Sequence, residues 1–100
     1  MSLRVTFKPP ARLEYAEATA WYHNRRPGLA HEFRLEVKRA LQLAQNNPER
    51  FAEARPGVRK IRLQRFSSYS IYFAFEDGVF SVLSVFHSSR NPEDLWKRLE

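Results

Sequence analysis

GVRKIRLQRFSSYSIYFAFEDGVFSVLSVFHSSRNPEDLW, residues 57–96, decides how this chain is read. Its first part, Arg59–Arg65, alternates the apolar Ile61 and Leu63 with Lys60, Arg62 and Gln64. That two-residue period gives a strand with one apolar and one basic face. Tyr69–Phe75 and Val79–Phe86 are apolar on both faces, as central strands are. Between them Glu76-Asp77-Gly78 holds an Asp-Gly pair, which tolerates the left-handed backbone of a tight hairpin turn. The stretch therefore predicts an antiparallel meander. It then reaches a polar cluster, His87-Ser88-Ser89-Arg90. Beyond it, Asn91 is a helix N-cap, Pro92 suits the first helical position, and Glu93 and Asp94 complement the helix dipole. Leu95, Trp96 and Leu99 give this short helix an apolar side to bury.

Upstream, Leu3-Arg4-Val5-Thr6-Phe7 alternates as a half-buried strand with Leu3, Val5 and Phe7 inward. Pro9-Pro10 ends it and suits the first turn of a helix that runs to about His23. Leu13, Ala16 and Ala20 form one face of that helix, and Tyr15, Ala18 and Tyr22 a nearly opposite one. A helix apolar on two sides is expected between two layers, here the sheet and either a second helix or a partner. Asn24-Arg25-Arg26-Pro27-Gly28 reads as a turn. The second helix, about Leu29 to Gln45, buries Ala30, Phe33, Val37, Ala40, Leu41 and Ala44 and turns Arg34 and Lys38 outward. Asn46-Asn47-Pro48 stops it, and Pro48 to Pro56 is a basic loop with Phe51 as a hydrophobic anchor. The expected fold class is α+β in the order β-α-α-β-β-β. An antiparallel sheet carries the helical hairpin on one face, and a short C-terminal helix ends a single domain, 1–100.

One hundred residues, 43% of them hydrophobic and 14% aromatic, suffice for a packed core. The absence of cysteine excludes a disulfide scaffold and a thiolate metal site, and fits a reducing cytoplasm. The N-terminal MSLRVTFKPP lacks the apolar core of a signal peptide, and no apolar run approaches the ~20 residues that span a bilayer. Seventeen Lys/Arg against eleven Asp/Glu give a net charge of +6. Such a surface attracts nucleic acid, acidic protein segments or anionic lipid. Arginine dominates, and a planar guanidinium pairs bidentately with phosphate or carboxylate.

Familiar catalytic signatures are missing. Gly28, Gly57 and Gly78 are scattered among turns, so no phosphate-cradling loop exists. His23, His31 and His87 fall on three different elements without clustered carboxylates, so no metal site and no cofactor is expected. Ser88 beside His87 has neither an acid nor an oxyanion motif for a triad. What remains is His87 with Arg90 and the arginines Arg59, Arg62 and Arg65. Metal-free phosphodiester cleavage needs an acid–base residue and cations for the developing phosphorane charge, roles that His87 and these arginines could fill. Equally, His87 could be a hydrogen-bonding plug at a strand end, and Arg90 could pair with Glu93 or Asp94.

Trp21-Tyr22, then Arg26-Pro27-Gly28-Leu29 and Glu32-Phe33, resembles the hairpin link of the RelE/ParE toxin superfamily, in its ParE-like, plasmid stabilization branch. Arg59, then Arg65-Phe66-Ser67-Ser68-Tyr69-Ser70-Ile71-Tyr72-Phe73, and finally Val85-Phe86-His87-Ser88-Ser89-Arg90-Asn91-Pro92 with Trp96, continue the likeness in order. The resemblance implies the toxin of a type II toxin–antitoxin pair, neutralised by a small acidic antitoxin whose C-terminal segment wraps it. In ParE-like members the implied action is inhibition of DNA gyrase, without an established catalytic site. RelE-like members cut mRNA on the ribosome without metal, so that chemistry is the alternative. A third reading is a degenerate toxin acting as a transcriptional co-repressor, contacting DNA only through its antitoxin. The carry-over makes His87, Arg90 and Arg59 the catalytic candidates, and Arg62, Arg65, Lys60 and Tyr69 the target or nucleic-acid contacts. Tyr15, Tyr22, Trp21 and Trp96 are the candidate antitoxin contacts. Where nuclease members place an arginine after the tyrosine that opens the third strand, this chain has Ser70.

Overall fold

The computed structural model describes residues 4–100. Leu3, expected inward on the first strand, lies outside them. The elements are β1 (Arg4–Phe7), α1 (Pro9–Arg25), α2 (Leu29–Asn46), a 3-10 turn (Pro48–Arg50), β2 (Glu53–Arg55), β3 (Val58–Arg62), β4 (Tyr69–Glu76), β5 (Val79–His87) and α3 (Pro92–Leu99). They form one sheet in the order β1-β5-β4-β3-β2. The expected α+β class and element order hold, with two corrections.

First, the sheet is mixed. Strand β1 runs parallel to β5, with Arg4 opposite Val79 and Phe7 opposite Val82, while the other pairs are antiparallel. The helical hairpin carries the chain from β1 to the opposite edge of the sheet, and the meander β2 to β5 then works back until β5 lies beside β1. Second, the basic loop contains a short edge strand, β2, exposed on both faces and therefore without apolar alternation. At the β4–β5 turn Asp77 and Gly78 both take positive φ, 51° and 77°, the twist that a two-residue hairpin requires.

The core has two sides. Phe33, Val37, Ala40 and Ala44 of α2, with Ala11 and Ala18 of α1, pack on Ile61, Ile71, Phe73, Phe80, Val82 and Val85. On the opposite face Leu95 of α3 packs against Tyr72 and Phe86, with Val58, Leu83, Trp96 and Leu99 around them. A bulge makes this second layer possible: Tyr72 pairs with Ser84 but Phe73 pairs with Val82, so Leu83 is the extra residue of β5. The start of α3 follows its sequence, the Asn91 side chain accepting from the Glu93 N–H.

The face of α1 bearing Leu13 is not sandwiched. Leu13 is 61% exposed, and Ala16 and Ala20 are exposed too. Tyr15, Ala18 and Tyr22 supply the buried side instead, because α2 lies beside α1 on the sheet rather than on top of it. One residue of the α2 stripe is ionic. Glu36, buried among the apolar positions, accepts from Arg39 at 2.6 and 3.0 Å and from the Arg65 N–H at 2.9 Å. These bonds, with Arg39 the largest contribution, hold its carboxyl below the ordinary range.

Candidate functional site

Strand register separates the residues that the sequence groups together. Tyr69 lies opposite His87, and their rings meet edge-on with centroids 4.9 Å apart. Side chains directly opposite share a face, so both point to the helical-hairpin side, as Ile71 and Phe73 do. Arg62 lies opposite Ser70, and Lys60 opposite Tyr72, on the α3 side. The sheet therefore stands between His87 and these two cations. Arg59 shares the hairpin side, but opposite Phe73, four residues and about 13 Å along β4 from Tyr69.

Most of the candidate cations are held by the protein itself. Arg59 donates to the Phe51 carbonyl at 2.6 Å and reaches Glu53 at 3.4 Å. The Nε of Arg62 donates to the Ser67 carbonyl at 3.0 Å. Arg65 pairs with Glu32 and lies over the Phe66 ring. Lys60 lies over the Tyr72 ring, Trp96 meets Tyr72 edge-on, and Arg55 lies over the Trp96 ring at 4.8 Å. Arg90 pairs with neither Glu93 nor Asp94. It donates to Glu14 at 2.8 Å.

Glu14 is the residue that the sequence did not single out. Strand β1 pairs with β5 only as far as Val82, which leaves the remaining outer edge of β5 without a strand. Side chains serve that edge. Glu14 Oε1 accepts from the Val85 N–H at 3.1 Å and from the Ser84 hydroxyl at 2.9 Å. Its Oε2 accepts from Arg90 and, at 3.3 Å, from Arg98, which also donates to the Leu83 carbonyl at 2.6 Å. One carboxylate thus ties α1, β5 and α3 together. Its only sequence signal is position: Glu14, Glu17, Ala18 and Trp21 form one stripe of α1 at helical spacing.

That stripe walls a cavity of about 690 Å³ between α1 and the ends of β4 and β5, with Glu17, Trp21, Tyr69, His87 and Arg90 on its lining. Within it the Ser89 N–H donates to His87 Nδ1 at 3.0 Å, and the Ser89 hydroxyl lies 2.8 Å from the same atom. A backbone N–H can only donate, so Nδ1 accepts, and the neutral ring carries its proton on Nε2. Nε2 is thereby left as the ring's donor atom, on a residue that lines the cavity. The Tyr69 phenol is pushed above its ordinary value of 10.0, first by burial and then by Tyr22, Glu14 and Glu17, with Arg90 opposing.

Of the aromatic candidates, Tyr15 and Tyr22 are half-buried against Phe33, at centroid distances of 6.1 and 5.1 Å. Trp21 is 50% exposed beside the cavity. Trp96 sits on the opposite face of the sheet with α3.

The fold is shared with solved structures. A chain from the chromosomal ParDE TA system of P. aeruginosa superposes with a TM-score of 0.72, covering 86% of this chain and 96% of that one at 17% identity. The chain has the RelE/ParE fold. A free-state E. coli toxin RelE with two arginines changed to alanine gives a TM-score of 0.65 over 97% of this chain and 93% of that one, at 18% identity. No family model and no curated protein sequence matches. On this RelE/ParE fold the position of Ser70 is informative. It is buried at 9% exposure, opposite Arg62 on β3 and Phe86 on β5, so the strand offers no surface cation at this position.

Proposed function

We propose that this chain is the toxin of a type II toxin–antitoxin module and that it acts by occupying a protein target, DNA gyrase being the first to test, rather than by cutting RNA. The likeness of fold to a chain of a ParDE system and to the toxin RelE supports the toxin reading. One observation carries the choice of mechanism: His87 and the β3 cations Lys60 and Arg62 lie on opposite faces of the sheet. Metal-free cleavage of a phosphodiester requires the proton-transfer group and the phosphate-holding cations around one reacting atom. Here His87 offers a donor proton rather than a free lone pair, and Arg59, Arg65 and Arg90 are each committed to carboxylates. A small acidic antitoxin is the corresponding neutralising partner.

Purified protein added to a gyrase supercoiling reaction tests the target. Dose-dependent loss of supercoiling is expected. Full supercoiling at a large molar excess, in protein shown to be folded by circular dichroism, would remove gyrase as the target.

A further inference from the structure

We propose that the cavity between α1 and the end of β5 receives an arginine side chain presented by a protein partner. The chain is rich in cations, and five of its eleven side-chain carboxylates, Glu14, Glu32, Glu36, Glu53 and Glu93, each meet an arginine. Glu17 has no such partner among the described residues, although it lines the cavity one helical turn from Trp21. Arg90 does not satisfy it, because that guanidinium is turned onto Glu14, which also draws Arg98.

The walls around Glu17 suit a guanidinium. Trp21, Tyr22 and Tyr69 border the cavity over an apolar floor of Ala18 and Val85. The Trp21 ring already accepts a guanidinium within the protein, that of Arg25 at 4.1 Å from its centroid. A planar cation gains both from an aromatic face and from a bidentate carboxylate, which is what distinguishes arginine from lysine at such a site. Among the described residues, the lining sets Glu14 and Glu17 against the single full cation Arg90, which Glu14 already neutralises, so an entering phosphate would meet the uncompensated charge of Glu17. The partner is therefore a protein with an exposed arginine, and the inference does not depend on whether the chain arrests growth.

The test uses the full chain and Nα-acetylarginine amide, followed by Trp fluorescence. Trp21 borders the cavity, whereas Trp96 lies across the sheet and should not respond. Saturable change is expected with the arginine amide, with weaker change from the lysine analogue and none from the neutral citrulline analogue. Glu17→Gln should weaken binding about fivefold, the worth of one partly exposed charge contact. Glu76→Gln, which removes an exposed carboxylate on the far hairpin, should leave it unchanged. Equal binding of the citrulline analogue, an unchanged titration in Glu17→Gln, or saturation of the same signal by inorganic phosphate would each overturn the proposal.

Discussion

Replacing Glu14 with alanine should be among the most damaging single changes at any polar position of this chain. Its side chain is only 9% exposed and accepts four hydrogen bonds. Alanine leaves the Val85 N–H, on a residue 1% exposed, with no acceptor, a loss of about 1–3 kcal/mol. The Ser84 hydroxyl, on a residue with no exposure, also loses its acceptor and adds about 1 kcal/mol. Arg90 and Arg98 are 56% and 30% exposed, so each lost ion pair contributes about 0–1 kcal/mol after solvent screening. The sum is about 2–6 kcal/mol. Glu14→Gln keeps an acceptor for Val85 and loses mainly the charge, so it should cost about 1 kcal/mol, equivalent to roughly 4–8 °C in Tm for a domain of this size. Urea titration followed by far-UV circular dichroism measures both variants, and the slope m should stay constant. If alanine costs under about 0.5 kcal/mol, or if alanine and glutamine cost the same, the carboxylate is not the acceptor that completes the β5 edge.

Two further outcomes follow from the scaffold. Because the Glu36 carboxyl is held below 4.5, the unfolded chain binds more protons than the folded chain in acid. Its stabilisation is therefore complete above that value and is lost as pH falls through the folded one. Glu36→Gln should be less stable than the parent at pH 7, with the two urea midpoints drawing together as the pH falls below 4.5; parallel pH curves would contradict this. Gly78→Ala meets no atom within 4 Å but keeps φ at +77°, so it should cost about 1–2 kcal/mol from backbone strain alone, and an unchanged urea midpoint would show that the turn relaxes.

The meander, both long helices and the capped start of α3 were legible because each is written in local periodicity or turn chemistry. Ile61 and Leu63, the α2 stripe and Asp77-Gly78 all behave as their spacing indicates. What was not legible depends on register and on distant pairs. The basic residues from Arg59 to Arg65 look like one strip, yet strand pairing sends Arg59 to one face and Lys60 and Arg62 to the other. Edge strand β2 has no buried side chain and hence no pattern. Glu14 looks like any wet helix residue, since the groups it joins lie 70 to 84 positions away. The local alternative for Arg90, pairing with Glu93 or Asp94 in the first turn of α3, gives way to Glu14, 76 positions away.

Induced expression of the chain without antitoxin, with mapping of transcript ends on arrested ribosomes, tests the central claim most directly. The parent and a variant combining His87→Ala with Arg62→Ala should both arrest growth, with transcripts left intact. Transcript breaks on ribosomes in the parent that vanish in the variant, together with recovery of growth, would contradict a protein-targeted mechanism and restore the nuclease reading.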